Sequence, residues 1–226
     1  RTEGSLLETQ ELFPGTRAVI VVADVTSPEG RRSIAGAVGQ RLDVLINNAG
    51  TLSVGHLGDM DDAALDRMAA TNLVAPMALT RDLLPALRAA RGRVANIGSV
   101  FGDIAYPFFA AYSATKFALR GWSEALRREV ADSRVGVLYF APRYTRTALN
   151  EGAVERMAMA VGMRQDTPEV VAEALVSDIE RDVRERFYGW PEKLFVRLNA
   201  LWPRQIDGAL SRQATKMRPF ALERIA

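Results

Sequence analysis

The sequence predicts an α/β protein in which a doubly wound parallel sheet carries helices on both faces, giving three layers. Short apolar runs rich in branched side chains alternate with longer segments of helical periodicity. The intervening segments are long enough to serve as the crossover helices that parallel strands require. No internal repeat or low-complexity linker interrupts this alternation, so we expect one main domain over residues 1–190 and a basic extension at 191–226.

Strands are predicted where apolar residues run together, as in strands that are covered on both faces. The predicted strands span residues 17–25, 43–46, 92–97 and 135–140, with a last short strand at 186–189. The second strand is followed by Asn-Asn-Ala-Gly at 47–50, where turn-forming residues replace apolar ones.

Two of the predicted helices begin with a hydroxyl residue followed by proline. Ser27 precedes Pro28, and Thr167 precedes Pro168. A hydroxyl side chain can cap the first backbone N–H groups, and proline suits the first helical turn. We expect the second of these helices to continue to about Arg184.

Two longer helices are predicted in the middle of the chain. Residues 61–90 carry apolar side chains at three- and four-residue spacing, and Pro76 is expected to kink or split this helix. Residues 110–131 form a second, alanine-rich helix. Both helices are long enough to cross over the sheet.

The composition excludes several kinds of chemistry. The chain has no cysteine, which rules out disulfides, thiolate zinc sites and a cysteine nucleophile. The single histidine, His56, lies in a Gly-rich segment and is expected to be a polar loop residue rather than a catalyst or a metal ligand. With a net charge of +2, the protein is not expected to bind nucleic acid through its overall charge.

The sequence also bears on location. No run of about 18 apolar residues is present, so no membrane span is expected. The chain starts without a methionine and without a signal-peptide pattern. We therefore expect a cytoplasmic protein, with at most a peripheral contact to a membrane.

The extension is basic and amphipathic. Residues 191–226 contain seven Lys or Arg and three Asp or Glu. An apolar stripe at helical spacing consists of Leu194, Phe195, Leu198, Leu201 and Trp202. Such a helix can pack on its own domain or a partner subunit, which we favour, or lie on an anionic membrane surface.

Tyr112 and Lys116 are the first candidates for acid–base chemistry. They lie four residues apart in the 110–131 helix and therefore share one face. An ammonium near a phenol favours the phenolate, so we expect Lys116 to lower the pKa of Tyr112 from about 10. Taken alone, the pair also arises by chance in many proteins.

Two further features fall at the carboxyl ends of predicted strands, where ligands bind in open parallel sheets. Ser99 follows the strand at 92–97 and can hydrogen-bond a carbonyl oxygen of a substrate. Asn48, Ala49 and Gly50 follow the strand at 43–46 and would allow a flat cofactor to approach closely. Alone, Ser99 would be interpreted as a loop serine that caps local backbone. The second feature could be a simple turn, although the string from 43 to 50 is more specific than a turn needs.

Together and in this order, the motifs resemble the short-chain dehydrogenase/reductase family. They are DVLINNAG at 43–50, Asn72 in TNLVAP, Ser99, YSATK at 112–116 and the segment from Pro142 to Thr147. The resemblance runs from Arg1 to about Arg186, and the ordered set is far more specific than any one motif. It implies a Rossmann-type fold, with residues 1–190 as the catalytic domain.

The resemblance implies roles for four residues in an NAD(P)-dependent hydride transfer. Tyr112 would exchange a proton with the substrate oxygen, which Ser99 would orient. Lys116 would assist Tyr112 and bind the nicotinamide ribose, and Asn72 would hold a water linked to Lys116. The remaining cofactor contacts implied are Asp24, Val25, Asn48, Ala49, Gly50, Pro142, Thr145 and Thr147.

The sequence lacks the family's Gly-rich T-G-x-x-x-G-x-G loop, so we expect the chain to begin just after the second strand of the family's sheet. Arg1 would then lie where a basic residue pairs with the 2′-phosphate of NADP, which slightly favours NADP over NAD.

Two segments bear on the substrate. Arg143 stands where the family usually has glycine, and it would either contact an acidic group such as a carrier phosphate or be solvated. Residues 148–166, with Met157, Met159 and Met163, correspond to the family's substrate lid. These methionines would favour a hydrophobic or acyl substrate, or would simply pack on the core.

The expected function is reduction or oxidation of a small-molecule carbonyl or alcohol with NADP or NAD. A redox sensor that binds the dinucleotide without turnover is one alternative, and a membrane-associated scaffold without activity is another. The resemblance also implies a homodimer or homotetramer formed through the helices at 61–90 and 110–131.

Overall fold

A computed structural model describes residues 3–12, 15 and 18–221. Its strands are β1 (Val44–Asn47), β2 (Arg93–Ile97), β3 (Gly136–Pro142) and β4 (Glu185–Tyr188). Its helices are α1 (Glu3–Glu11), α2 (Pro28–Val38), α3 (Asp62–Ala69), α4 (Ala75–Ala90), α5 (Ala110–Glu129), α6 (Ala153–Ala160), α7 (Pro168–Glu180), α8 (Glu192–Leu201) and α9 (Pro203–Ala221).

The strands form one parallel sheet in the order β1-β2-β3-β4. Side chains alternate between its faces, as the pleat requires. Val94 and Val137 join the apolar cluster under α2, α4 and α5, whereas Ala95 and Leu138 join the cluster under α7. Helices therefore cover both faces, which confirms the predicted three-layer α/β fold.

The strand predicted at 17–25 was wrong. The described part of this segment, residues 18–25, has no regular structure, and Val19 and Val22 remain exposed. A strand forms only where a neighbour supplies hydrogen bonds, and this segment does not pair with the sheet. It leads instead into a turn in which the Ser27 backbone N–H donates to the Asp24 carbonyl at 3.1 Å.

The other predicted strands lie within two residues of their observed bounds, and the helix starts were also correct. Ser27 Oγ accepts a hydrogen bond from the Gly30 N–H at 2.9 Å, so α2 begins at Pro28 as expected. Helix α7 begins at Pro168, but the Thr167 side chain makes no capping hydrogen bond to it. It ends at Glu180 rather than Arg184 because Asp182 has a positive φ of 56°.

The helix predicted at 61–90 is divided by a single π-helical turn at Ala70–Val74. Pro76 lacks an N–H, and its ring would collide with the carbonyl four residues earlier in a regular helix. The wider turn relieves this conflict, so the distortion lies one turn before the proline. Such turns are frequent at functional sites, and this one contains Asn72.

The extension forms α8 and α9. Helix α9 packs against α6, and Met217 on α9 is completely buried. Helix α8 buries Val196 but leaves most of the predicted apolar stripe exposed, so packing on the domain accounts for only part of the extension. Within residues 3–12, 15 and 18–221, the helices are too short or too polar to cross a bilayer.

Candidate active site

One cavity of about 790 Å³ opens at the carboxyl ends of β1, β2 and β3. Parallel strands bring their carboxyl ends to the same sheet edge, so residues far apart in sequence meet there. The predicted site residues that line this cavity are Asn48, Gly50, Ser99, Tyr112, Lys116, Pro142, Thr145 and Thr147.

Helix α5 presents Tyr112 and Lys116 to the cavity from one face. Both side chains are buried, and the Lys116 Nζ lies 5.7 Å from the centre of the Tyr112 ring. Lys116 Nζ also donates a hydrogen bond to the Ile97 carbonyl at 2.8 Å. This bond ties α5 to the end of β2 and leaves other ammonium protons for a ligand.

Burial controls the charge states of this pair. It raises the pKa of Tyr112 to about 12, although a hydrogen bond with Ser99 acts in the opposite direction. Burial also lowers the pKa of Lys116 to about 8. The expected lowering of the Tyr112 pKa by Lys116 is therefore outweighed by desolvation in the chain alone. At neutral pH Tyr112 carries its proton and can act as a donor.

Ser99 stands on a turn that Tyr139 supports from below. Its Oγ accepts from the Phe101 N–H at 3.1 Å, and the Tyr139 hydroxyl donates to the Ser99 carbonyl at 3.4 Å. The Tyr139 ring occupies the space where a side chain at Gly98 would lie, and a Cβ at Gly102 would come within 2.6 Å of its hydroxyl. Glycine is required at both positions because the backbone approaches Tyr139 so closely.

Asn72 is fully buried beneath the cavity and fixes the loop after β1. Its Oδ1 accepts from the Thr51 N–H at 2.8 Å, and its Nδ2 donates to the Thr51 carbonyl at 2.9 Å. Nδ2 also lies 3.2 Å from Thr115 Oγ1, on the helix that carries Tyr112. Asn72 thus joins this loop to α5. Its predicted role in holding a water stays a prediction.

The remaining predicted cofactor residues lie at different places. Val25, Asn48 and Ala49 line a small second cavity beside β1. Asp24 is exposed and uses its carboxylate to accept hydrogen bonds from Thr26, which hold the pKa of Asp24 below its usual value. Arg1 lies outside the described residues.

A buried polar chain under the site was missed by sequence reasoning. Asn47 Nδ2 donates to Thr80 Oγ1 at 3.0 Å and to Asn96 Oδ1 at 2.8 Å. Asn96 Nδ2 in turn donates to Ser123 Oγ at 2.9 Å. These bonds lock β1 and β2 to α4 and α5. The available signal was an asparagine at the end of one apolar strand run and another inside the next run.

A second polar cluster, which was also missed, lies behind the Ser99 turn. The side chain of Asp103 is 1% exposed and pairs with Arg120, whose Nε lies 3.0 Å from Glu185 Oε1. Asp103 Oδ2 has no hydrogen-bond partner among the described residues. Burial raises the pKa of Asp103 to about 7 despite the Arg120 charge, and Glu185 adds to this shift. Asn199 on α8 donates to the Asp103 carbonyl at 2.9 Å.

Comparison with known proteins agrees with this geometry. A family model described as short chain dehydrogenase matches residues 2–158. The chain belongs to the short-chain dehydrogenase family. Members of this family are oxidoreductases, and the assignment covers the sheet edge with Asn72, Ser99, Tyr112 and Lys116.

Individual relatives show how far the likeness extends. An uncharacterized oxidoreductase of Bacillus subtilis, YxnA, is 33% identical over 92% of this chain and 62% of its own length. Dehydrogenase/reductase SDR family member 7B of Xenopus tropicalis is 32% identical over 88% of this chain and 68% of its own length. The chain therefore spans about two thirds of these curated relatives or slightly less.

A solved structure resembles the fold across nearly the whole chain. It is a short-chain dehydrogenase from Streptomyces avermitilis, with a TM-score of 0.75 and 30% identity. The likeness covers 94% of this chain and 86% of that one. The Rossmann-type assignment therefore rests on both sequence and structure.

Arg143, the departure from the family pattern, is committed to an internal ion pair. Its Nε and Nη2 lie 2.7 and 2.6 Å from the two carboxylate oxygens of Asp166. Its Nη1 donates to the Trp190 carbonyl at 3.1 Å. The predicted role as a solvated arginine was wrong because Asp166 supplies a matching bidentate partner. Contact with an acidic ligand stays a prediction, since Arg143 also lines the cavity.

The methionines of this short-chain dehydrogenase divide between the two predicted roles. Met157 on α6 is completely buried and packs in one cluster with Tyr112 and Met217. Met163 lines the cavity, as does Met157, whereas Met159 is exposed. Most of the remaining wall is also apolar, and part of it comes from α8 and α9.

Proposed function

We propose that this chain carries an NAD(P)-dependent oxidoreductase activity on a carbonyl or alcohol of a hydrophobic, acyl-type substrate. The observation that carries the proposal is the meeting of Ser99, Tyr112 and Lys116 in one cavity whose other walls are mostly apolar. Family membership supports a nicotinamide cofactor and a small-molecule substrate.

The donor set fits the nicotinamide end of such a cofactor. Lys116 keeps ammonium protons available for ribose hydroxyls, and Asn48, Thr145 and Thr147 bring amide and hydroxyl groups to the same cavity. These residues would hold the ribose and the carboxamide. When bound, the cofactor supplies or accepts the hydride.

The protein residues handle the proton. In reduction, Tyr112 donates its phenolic proton to the substrate oxygen while Ser99 donates a hydrogen bond to that oxygen. The Lys116 ammonium then stabilises the phenolate, and a proton from solvent restores Tyr112. The raised pKa of Tyr112 keeps its phenol protonated at neutral pH, which is the form that reduction requires.

The substrate class follows from the wall of the cavity. Val154, Met157 and Leu175 line it from the domain, and Phe195 and Leu210 line it from the extension. We propose that residues 191–226 are an addition to the catalytic domain at 1–190 that completes the substrate site. A long apolar chain fits such a wall better than a sugar does.

The proposal also covers cofactor preference, assembly and location. NADP is preferred over NAD only because of Arg1. A homodimer or homotetramer through the helices at 61–90 and 110–131 would cover Val74, Met77 and Phe117, which are exposed. We place the protein in the cytoplasm.

The test is oxidation of NADPH and of NADH by the purified protein with ketones, aldehydes and 3-oxoacyl thioesters of increasing chain length. Tyr112→Phe should lower turnover by about 10²–10⁴-fold, since it removes the acid. Tyr144→Phe removes a hydroxyl from the same cavity and serves as the matched control. Cofactor binding without turnover in the unsubstituted protein would favour the redox sensor, and absence of both would favour the scaffold.

A further inference from the structure

Helix α8, with Trp202 directly after it, has an apolar face that the described residues leave uncovered. Leu194 is 40% exposed, Phe195 44%, Leu201 67% and Trp202 56%. The neighbouring Val196 is only 6% exposed, so the helix itself is docked on the domain. The exposed residues are therefore a separate surface and not a sign that α8 is detached.

Helical geometry explains how one helix carries both surfaces. At about 100° per residue, Leu194 and Leu201 lie within about 20° of each other and point roughly opposite Val196. Asn199 lies on the Val196 side and donates to the Asp103 carbonyl at 2.9 Å. The inward side thus has one apolar and one polar anchor, and the outward apolar side is free to contact something else.

The charges around this face are mostly basic. Lys193 and Arg197 are exposed on α8 beside the apolar side chains, and Arg204 is exposed at the start of α9. Arg164 reaches the same region, since its Nη1 donates to the Trp190 carbonyl at 3.4 Å. The sequence from 191 to 226 contains seven basic and three acidic residues. We therefore expect a partner that has anionic groups at its surface and an apolar layer below them.

We propose that the outward face of α8 docks on an anionic membrane surface. Leu194, Leu201 and Trp202 enter the interface, and Lys193 and Arg197 contact lipid phosphates. Phe195 connects this surface to the site, because it is both exposed and part of the cavity wall. The rim of the cavity then faces the bilayer, and a hydrophobic substrate enters from the lipid. This last step rests on the proposed function; the docking does not.

A second copy of the chain fits this face less well. A twofold interface brings the same surface of both subunits together. Lys193, Arg197 and Arg204 of one copy would then approach the same residues of the other, and like charges oppose such a contact. Anionic lipid supplies the opposite charge and an apolar layer together.

The experiment measures flotation of the full-length protein with vesicles of phosphatidylcholine alone and of phosphatidylcholine mixed with phosphatidylglycerol. We expect binding to the mixed vesicles that weakens as salt is raised. One basic residue near an anionic surface contributes about fivefold to partitioning, so Lys193→Gln with Arg197→Gln should weaken binding about 25-fold. Arg67→Gln with Arg88→Gln, at exposed positions on α3 and α4, should leave it unchanged.

The apolar half of the face is tested in the same way. Leu194→Ser with Leu201→Ser should abolish flotation, whereas Val170→Ser with Val176→Ser on α7 should not, although those valines are also exposed. Equal flotation of both pairs would overturn the assignment of this face. A concentration-dependent dimer in light scattering that the α8 pair abolishes, without vesicle binding, would overturn the membrane proposal in favour of a second copy.

Activity separates this proposal from the proposed function. The α8 pair should keep its turnover of a short water-soluble ketone and lose turnover of a long-chain ketone presented in anionic vesicles. Vesicle binding without any turnover would leave docking intact and refute the oxidoreductase. If the α8 pair turns over both ketones as fast as the unsubstituted protein does, entry of the substrate from the lipid is refuted.

Discussion

Asp103 offers a test of how the ion pair behind the Ser99 turn affects stability. Its carboxyl group is buried beside Arg120, with one oxygen that has no partner among the described residues, and burial raises the pKa of Asp103 to about 7. We consider Asp103→Asn, which keeps the shape of the side chain and removes its titration. Burial of the asparagine amide also lowers the free energy of unfolding, but this effect does not depend on pH.

The sign follows from proton binding. Asp103 has a pKa of 3.8 in the unfolded chain and about 7 in the folded one, so the folded state binds the proton more tightly. The stabilisation that protonated Asp103 contributes is fully present at pH values below its pKa in the unfolded chain. It is lost as the pH rises from that pKa to the pKa in the folded chain. The gap of about 3 units corresponds to about 4 kcal/mol in the free energy of unfolding.

The measurement is urea denaturation of both proteins at a series of pH values from about 4 to 8. The free energy of unfolding of the natural protein should fall relative to that of Asp103→Asn across this range, and the difference should level off above pH 7. Asp66→Asn changes an exposed carboxyl on α3 and should give a curve parallel to that of the natural protein. Parallel curves for Asp103→Asn would refute the raised pKa.

Two further predictions concern buried contacts. Met217→Ala leaves a cavity at a completely buried position beside Tyr112. It should lower the free energy of unfolding, measured by urea denaturation, by about 2–5 kcal/mol. An unchanged urea midpoint would mean that α9 does not pack as described. Asn72→Ala leaves the Thr51 N–H and carbonyl without their partner, each at about 1–3 kcal/mol, and should speed hydrogen exchange at Thr51. Unchanged exchange there would mean that Asn72 does not fix the loop.

The fold could largely be predicted because its strands and helices carry their own local signals. The strands at 92–97 and 135–140 are apolar on both faces, and Ser27 begins α2 through its own hydroxyl. The segment at 17–25 has a similar composition, but its described part, residues 18–25, has no neighbour in the sheet. Composition reports whether a strand suits burial, whereas pairing depends on residues elsewhere in the chain.

The candidate site could likewise be predicted only in part from the sequence. Tyr112 and Lys116 could be placed on one helix face from their spacing alone. The pKa values of the two residues could not be predicted in this way, because burial shifts them more than the charge of the neighbouring side chain does. Arg143 could likewise be interpreted only as a ligand-binding or a solvated cation, since nothing in the sequence indicates that Asp166, 23 residues later, lies opposite its guanidinium.

The extension packs against the surroundings of the candidate site at two places, so it cannot be treated as a separate lid. Met217 packs in the cluster that contains Tyr112, and Asn199 holds the Asp103 carbonyl behind the Ser99 turn. The same two helices also supply part of the substrate wall. A change in the position of the extension would therefore alter the shape of the cavity, the packing around Tyr112 and the support of the Ser99 turn together. A membrane surface that binds α8 would therefore influence the rate of turnover as well as the entry of substrate into the cavity.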